Sequence, residues 1–226
     1  MKIKEVLCAL ERFAPLPLQE DFDNAGLQVG LTEAEVSGAL LCLDVTELVI
    51  DEAIENRICV ISMHTNMDNA FGGVNFKIAE KLRLVDVAFL ASKNVDGIES
   101  GSGVVGTLAE PMAADDFVIA VKKAFDVECA MCNELLHRPI HKVAICGGAG
   151  DFLLDDAIKA GADAFITGEM HYHQYFGYEQ RIQICVIGHY QSEQYTSEIF
   201  REIINESCPD VKTIIAETCT NPIMYL

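Results

Sequence analysis

Two stretches of the chain echo one another. LLCLDVTELVIDEAI, Leu40 to Ile54, aligns without a gap on AICGGAGDFLLDDAI, Ala144 to Ile158. Cys42 falls over Cys146, and Asp51-Glu52-Ala53-Ile54 falls over Asp155-Asp156-Ala157-Ile158. Each copy reads as an apolar strand, a turn and a helix. Such a unit cannot bury its apolar faces alone; it needs neighbouring strands and a second layer. The recurrence therefore predicts an α/β fold of two related halves with mixed central sheets, the first over residues 1–96 and the second over 97–226.

The second half follows this plan clearly. A helix is predicted over Phe152–Lys159, with a stop at Gly161, and a strand over Ala164–Thr167. A polar turn carrying His171 and His173 leads to IQICVIGH, whose unbroken run of β-formers predicts a strand buried on both faces. From Ser192 the pattern turns helical, with Ile199, Phe200, Ile203 and Ile204 as its apolar stripe, and VKTIIAE closes the chain as a short strand. In the first half, Val6, Leu7, Leu10 and Phe13 share one face of an N-terminal helix. A strand is predicted over Ile58–Ser62 and a helix from about Asn75 to Leu82. IESGSGVVGTLAEPM reads as a loop and short strand, and ADDFVIAVKKAF as a helix.

Charge narrows the function. Lys and Arg number 16 against 35 Asp and Glu, a formal charge of −19. Such a field repels phosphate backbones, so no nucleic acid is expected as partner, whereas cations are favoured. No apolar run approaches the roughly 20 residues of a membrane span, and the amphipathic N-terminus lacks the form of a signal peptide. The nine cysteines sit mostly inside apolar runs, as thiols do in a reducing compartment. A cytoplasmic protein without a membrane partner is expected. Cys129-Ala-Met-Cys132 is a lone CxxC with no second pair at zinc-site spacing.

Two glycine-rich stretches invite a phosphate-binding reading. Gly101 to Gly106 fits GxGxxG, but a polar stretch precedes it and no helix follows, so the dinucleotide mechanism has no footing. Gly147-Gly148-Ala149-Gly150 lies between a strand and a helix. It reads as a tight turn packing one on the other, with an anion at its amides as the alternative.

The histidines carry more. His137 and His141 flank a proline in a polar connection and read as surface residues. His64, His171, His173 and His189 all fall where a strand hands over to a loop, the edge at which α/β sheets bind ligands. In GHYQSEQ, His189 and Glu193 are four apart; in HTNMD, His64 and Asp68 have the same spacing. Imidazole nitrogen and carboxylate oxygen together suit borderline and hard divalent cations. A carboxylate in a helix's first turn, where Glu193 is expected, also stays ionised. Any one of these residues alone reads as a satisfied polar turn; the recurrence in both halves sets a metal site beside that reading as an equal alternative.

FDNAGLQVG, LDVT, HTNMD, GVNFKIAEKL, CGGAGDFL, ADAFITGEMHYH, GHYQSEQ and the terminal NPIMY, in that order, resemble the GTP cyclohydrolase I type 2 homologues, or Nif-three-like proteins. The resemblance implies two α/β halves with a dinuclear metal centre in the cleft between them, and a ring-shaped homohexamer. Carried over, it makes Asp68, His189 and Glu193 metal ligands. His64 and His173 come near the metals rather than onto them, and Asp23 and Asn24 border the cleft. Two divalent ions are implied, and mixed oxygen and nitrogen ligation leaves zinc, iron, manganese, nickel and magnesium open. One family feature is missing. A His-His-Pro motif that supplies two ligands has no counterpart, and VIDEAIENRICVISMHTNMD runs as if two helix–strand units were fused into one.

Two functions follow from the resemblance. One is a metal-dependent hydrolase of a nucleotide or phosphoester, with Glu193 and His64 as the catalytic residues that move protons. The other is a metal-binding ring protein without turnover, for storage, delivery or partner docking, which loss of His-His-Pro favours.

Overall fold

The computed structural model describes residues 1–55 and 60–224. Contacts divide the chain into two compact units, residues 1–70 with 194–226, and residues 71–193. A division at 96/97 falls instead at the tip of a β-hairpin within the second unit. The elements, in order, are α1 (Ile3–Phe13), β1 (Gly26–Val29), β2 (Gly38–Leu41), α2 (Glu47–Glu55), β3 (Val60–Ser62) and α3 (Thr65–Asp68). The second unit holds α4 (Val74–Lys81), β4 (Val85–Val95), β5 (Ile98–Met112), α5 (Ala114–Ala124), β6 (Met131–Cys132), β7 (Ile140–Cys146), α6 (Leu154–Lys159), β8 (Ala164–Thr167), β9 (Gln183–Val186) and α7 (His189–Glu193). The chain returns to the first unit for α8 (Thr196–Ser207) and β10 (Lys212–Ile215). This is a mixed α/β architecture. The strand expected from Ile58 begins at Val60 in the structure; its first two residues lie outside the described residues.

In the first unit, α1 buries Ile3, Val6, Ala9 and Leu10 and packs on α8, whose buried stripe includes Ile199, Ile203 and Ile204. The strands form two short ladders. β2 runs parallel to β10, and β1 runs antiparallel to β3.

The second unit is built on one six-stranded sheet in the order β4-β5-β7-β8-β9-β6. Its middle is parallel, with β8 in register between β7 and β9. Every residue of β8 and β9 is buried, which is why these segments are mostly apolar instead of alternating. Phe165, Ile182 and Ile184 pack with Leu153, Leu154 and Ala157 on one side of the sheet. The one polar side chain in β9, Gln183, is wholly buried and fully employed. Its Oε1 accepts from the Leu136 amide at 3.0 Å, and its Nε2 donates to Asn133 Oδ1 at 2.9 Å.

The hairpin of β4 and β5 corrects the reading of residues 98–112 as loop and short strand. The stretch is one continuous strand of 15 residues. The glycines that mimic a dinucleotide motif sit inside it because the sheet is crowded there. A Cβ on Gly101 would lie 2.6 Å from the Ala91 carbonyl oxygen, and one on Gly103 2.8 Å from that of Ile145. Close packing, not phosphate binding, accounts for them.

Phe165 has no exposed surface, so Phe165→Ala removes a ring from the middle of the sheet. Unfolding in urea should show a loss of about 3–5 kcal/mol, with the same transition followed by far-UV and near-UV signals.

Candidate functional site

The carboxyl ends of β7, β8 and β9 lie side by side, and each opens into a glycine turn: Gly147–Gly150, Gly168 and Gly188. Thr167, wholly buried at the end of β8, ties the three together. Its hydroxyl oxygen accepts from the Gly150 amide at 3.0 Å and donates to the Gly148 carbonyl at 3.2 Å. Its carbonyl accepts from the Ile187 amide at 3.0 Å. Ser192 adds a second tie, accepting from the Gly148 amide at 3.0 Å and donating to the His189 carbonyl at 2.7 Å. The Gly147 amide donates to Asn75 Oδ1 at 2.9 Å. The amides of Gly147, Gly148 and Gly150 are thus taken up by Asn75, Ser192 and Thr167. This loop is a packed turn.

What the loop packs against is the site itself. Gly148 has φ +61°, and a Cβ there would run into Glu193 Oε1 and come to 3.2 Å from His189 Nε2. Gly168 is equally constrained, since a Cβ would lie 2.9 Å from the His189 Cα. Glycine at these positions leaves room for the His189 and Glu193 segment to pack against the loop.

His189 sits between two carboxylates. Its Nδ1 is 2.8 Å from Glu169 Oε1, and its Nε2 is 3.4 Å from Glu193 Oε2. Hydrogen bonding to Glu193 is the largest influence on the ring; with the attraction of both carboxylates it outweighs burial and lifts the imidazole pKa to about 9. At neutral pH the metal-free cluster therefore holds a proton between its acids. Glu193 is mostly buried, with 19% of its side chain exposed.

One expectation fails here. The single helix expected from Ser192 is two: α7 (His189–Glu193), five residues long with Glu193 at its last position, and α8 (Thr196–Ser207), which carries the apolar stripe. A helix's C-terminal end does not favour a carboxylate, so Glu193 is set by its contact with His189, not by a helix dipole.

The first unit solves the same problem with other residues. His64 caps the N-terminus of α3, and its Nδ1 is 3.0 Å from Asp23 Oδ1. Asp23 also accepts from the Thr65 hydroxyl at 2.6 Å, the Thr65 amide at 2.9 Å and the Asn24 amide at 2.8 Å. Burial pushes its carboxyl pKa up, but the Thr65 hydroxyl, His64 and the two amides outweigh that and hold it at about 2. Below this knot, Asn66 donates to the Ala14 carbonyl at 2.8 Å and Asn69 to that of Leu18 at 2.9 Å, fixing α3 to the N-terminal segment. A ring bound through Nδ1 to a carboxylate presents Nε2 as its basic nitrogen. Asp68, partly buried at the end of α3, lies one helical turn from His64.

Of the residues marked in the sequence, the structure brings His189 and Glu193 together in the second unit, and places His64 and Asp68 at the two ends of α3 in the first. His173 stacks with Tyr172 and Phe176 in an exposed aromatic cluster, and His171 lies 2.7 Å from Asp151. Among the described residues, no group of three His, Cys, Asp or Glu side chains is arranged to hold a metal ion. Two donors, His189 Nε2 and Glu193, face each other, and a third carboxylate fixes the far side of the ring. That orienting role of Glu169 was not legible. Its only sign was a place between a strand and the histidine turn, where an acid has many bland reasons to be.

A family model described as Duf34/NIF3 (NGG1p interacting factor 3) matches residues 1–58 and 53–222, in two pieces. A GTP cyclohydrolase 1 type 2 homolog of Clostridium acetobutylicum is 31% identical, with 85% of each chain covered. One from Clostridium perfringens is 30% identical across all of both chains. Among solved structures, a Staphylococcus aureus protein has a TM-score of 0.89 at 22% identity, covering 100% of this chain and 99% of its own. A Bacillus cereus protein related to NIF3 has a TM-score of 0.87 at 21% identity, with the same coverage.

Two outcomes test this geometry. Gly148→Ala should cost about 1–2 kcal/mol, because a side chain at positive φ is strained, and should shift the NMR signals of His189 and Glu193. Asp23 lends stability that is fully present above the unfolded carboxylate range, near pH 3.8, and is lost as pH falls towards 2. Asp23→Asn should therefore destabilise the protein by about 1–3 kcal/mol at neutral pH and flatten the acid limb of its stability profile between pH 4 and 2.

Proposed function

Because the chain belongs to the Duf34/NIF3 family, we propose that it is a metal-binding protein whose activity is metal-dependent hydrolysis of a nucleotide or phosphoester. One observation carries this reading: an imidazole locked through Nδ1 onto Glu169, with Nε2 directed at the sheltered carboxylate of Glu193. Carboxylate–histidine arrangements of this form set the tautomer and aim of a ligating nitrogen. His189 and Glu193 would hold the ion, and Glu169 would orient the ring. Asp68, the third residue that the resemblance marks as a ligand, lies in the first unit, and its part in metal binding is a separate proposal with its own variant.

A divalent ion, whether zinc, iron, manganese, nickel or magnesium, would offset the charge of a phosphate and acidify water. The chain's own contribution is in proton handling. Glu193 is placed to take or return a proton within the second unit's cluster. His64, with Asp23 holding its Nδ1, offers Nε2 as a base, since a neighbouring carboxylate stabilises the imidazolium that forms. We extend the proposal to a homohexamer in a reducing, cytoplasmic compartment. Eight described cysteines are free, and no helix of the described residues is long and apolar enough to cross a membrane.

A second reading has its own support. The family match comes in two pieces that overlap at residues 53–58, and the chain lacks the His-His-Pro motif. A protein short of those ligands would bind metal without turnover. Elemental analysis of the purified protein and assay on a panel of nucleotides and phosphoesters separate the two. Turnover that is lost on chelation and in Glu193→Ala supports the hydrolase. Bound metal without turnover on any substrate selects the second reading. Wild-type metal content in His189→Ala and Glu193→Ala would remove both, and an unaltered content in Asp68→Ala would remove that residue alone.

Metal must displace the proton on His189. Affinity should therefore rise about tenfold per pH unit from 7 towards 9 and level off above, with close to one proton released per ion at neutral pH in calorimetry. Glu169→Gln should weaken metal binding by about 10–100-fold without loss of fold.

A further inference from the structure

The first unit contains a slot lined by strands of both its ladders. A cavity of about 590 Å³ lies between its two ladders, lined by β2 from Gly38 to Leu41, by Cys42, and by Ile61, Ser62 and Met63 along β3. Its inner wall is apolar, with Phe200 and Ile204 of α8 among the lining residues.

The backbone of β2 shows which way its free edge faces. Ser37 and Leu41 accept from the Lys212 and Ala216 amides at 2.9 and 2.8 Å, so residues 37, 39 and 41 turn their main chain to β10. In a parallel ladder the alternate residues turn theirs the other way. Gly38, Leu40 and Cys42 thus present N–H and C=O groups away from β10, and no hydrogen bond among the described residues takes them up. β3 has β1 as its single ladder partner among the described residues. Unpaired edges of this kind are templates for another strand.

The sequence is also shorter than that of a relative. The family match comes in two pieces that overlap at residues 53–58. The Clostridium perfringens alignment runs over 263 positions against 226 residues, so at least 37 positions have no residue of this chain opposite. The helix leading into this overlap, α2, leaves Leu48 and Ile54 exposed at 67% and 66%, apolar surface that a further element would cover.

We propose that this slot is a docking site for an extended peptide strand of a partner polypeptide, an apolar segment flanked by lysine or arginine. The strand adds between the two ladders through the main chain of Gly38, Leu40 and Cys42, with its apolar side chains on the helix-lined wall. Main-chain bonding supplies affinity, and alternate side-chain pockets supply selectivity. Basic flanks follow from Glu35 and Glu52 among the lining residues and from a net charge of −19.

The probe is a fluorescein-labelled peptide of alternating valine and threonine with two lysines at each end, titrated against the full chain by anisotropy. Saturable micromolar binding is expected. A peptide N-methylated at alternate residues should bind at least about tenfold more weakly, a loss of about 1.4 kcal/mol. Leu40→Pro removes one slot-facing N–H and leaves the β10 bonds in place; it should weaken binding similarly, while Leu40→Ala retains it. Amide signals of Gly38, Leu40 and Cys42 in the wild-type protein should shift on titration, a readout that needs no variant. Equal binding of the N-methylated peptide, no saturation, or shifts confined to other residues overturns the proposal. So does self-association by sedimentation that Leu40→Pro abolishes, which would assign the slot to a second copy.

Discussion

One buried hydroxyl, that of Thr167, holds the chemistry of the second unit in place without taking part in it. It sits at the end of the central parallel strand, where it joins the glycine loop after β7, while its own carbonyl holds the chain leaving β9. Parallel register brings those three strand ends level, and the hydroxyl satisfies the Gly150 amide, which would otherwise be buried unpaired. With the loop fixed, Gly148 lies against Glu193 and His189, and the imidazole is held between its two acids.

The two units use one device with different parts. In each, a histidine just past a strand is held through Nδ1 by a carboxylate: Asp23 for His64, Glu169 for His189. The surroundings then set their chemistry apart. Asp23 is gripped by the Thr65 hydroxyl and two amides, which hold its carboxyl pKa down at about 2. His189 has a second carboxylate at its other nitrogen and keeps its proton to about pH 9. The singly held ring is the more exposed of the two, whereas the ring caught between two acids keeps its proton at neutral pH.

Much of this was written locally. The repeat of Leu40–Ile54 in Ala144–Ile158 announced strand–turn–helix units in both halves, and the unbroken run Ile182 to Val186 announced a strand buried on both sides. His189 and Glu193 were marked by spacing, and their meeting is a consequence of one helical turn. What misled were features whose local appearance has two causes. Gly101 to Gly106 looked like a loop because glycine is rare inside strands, yet there it answers crowding by Ala91 and Ile145. One helix is expected from Ser192 where the chain forms α7 and α8, because Gly188-His189 reads as a turn, and the helix-dipole account of Glu193 falls with it. Asp23 and Glu169 could not be recognised as orienting acids, since their partners lie 41 and 20 residues away.

The sequence by itself determined the α/β class, the family, and which side chains are chemically able to meet a cation, because periodicity and residue type are properties of short stretches. Only the tertiary structure decided which carboxylate holds which ring, why a side chain at Gly148 would crowd Glu193 and His189, and that β2 and β3 line one slot. Those are facts about atoms brought close by the sheet and its packing, and distance in space is not encoded in distance along the chain.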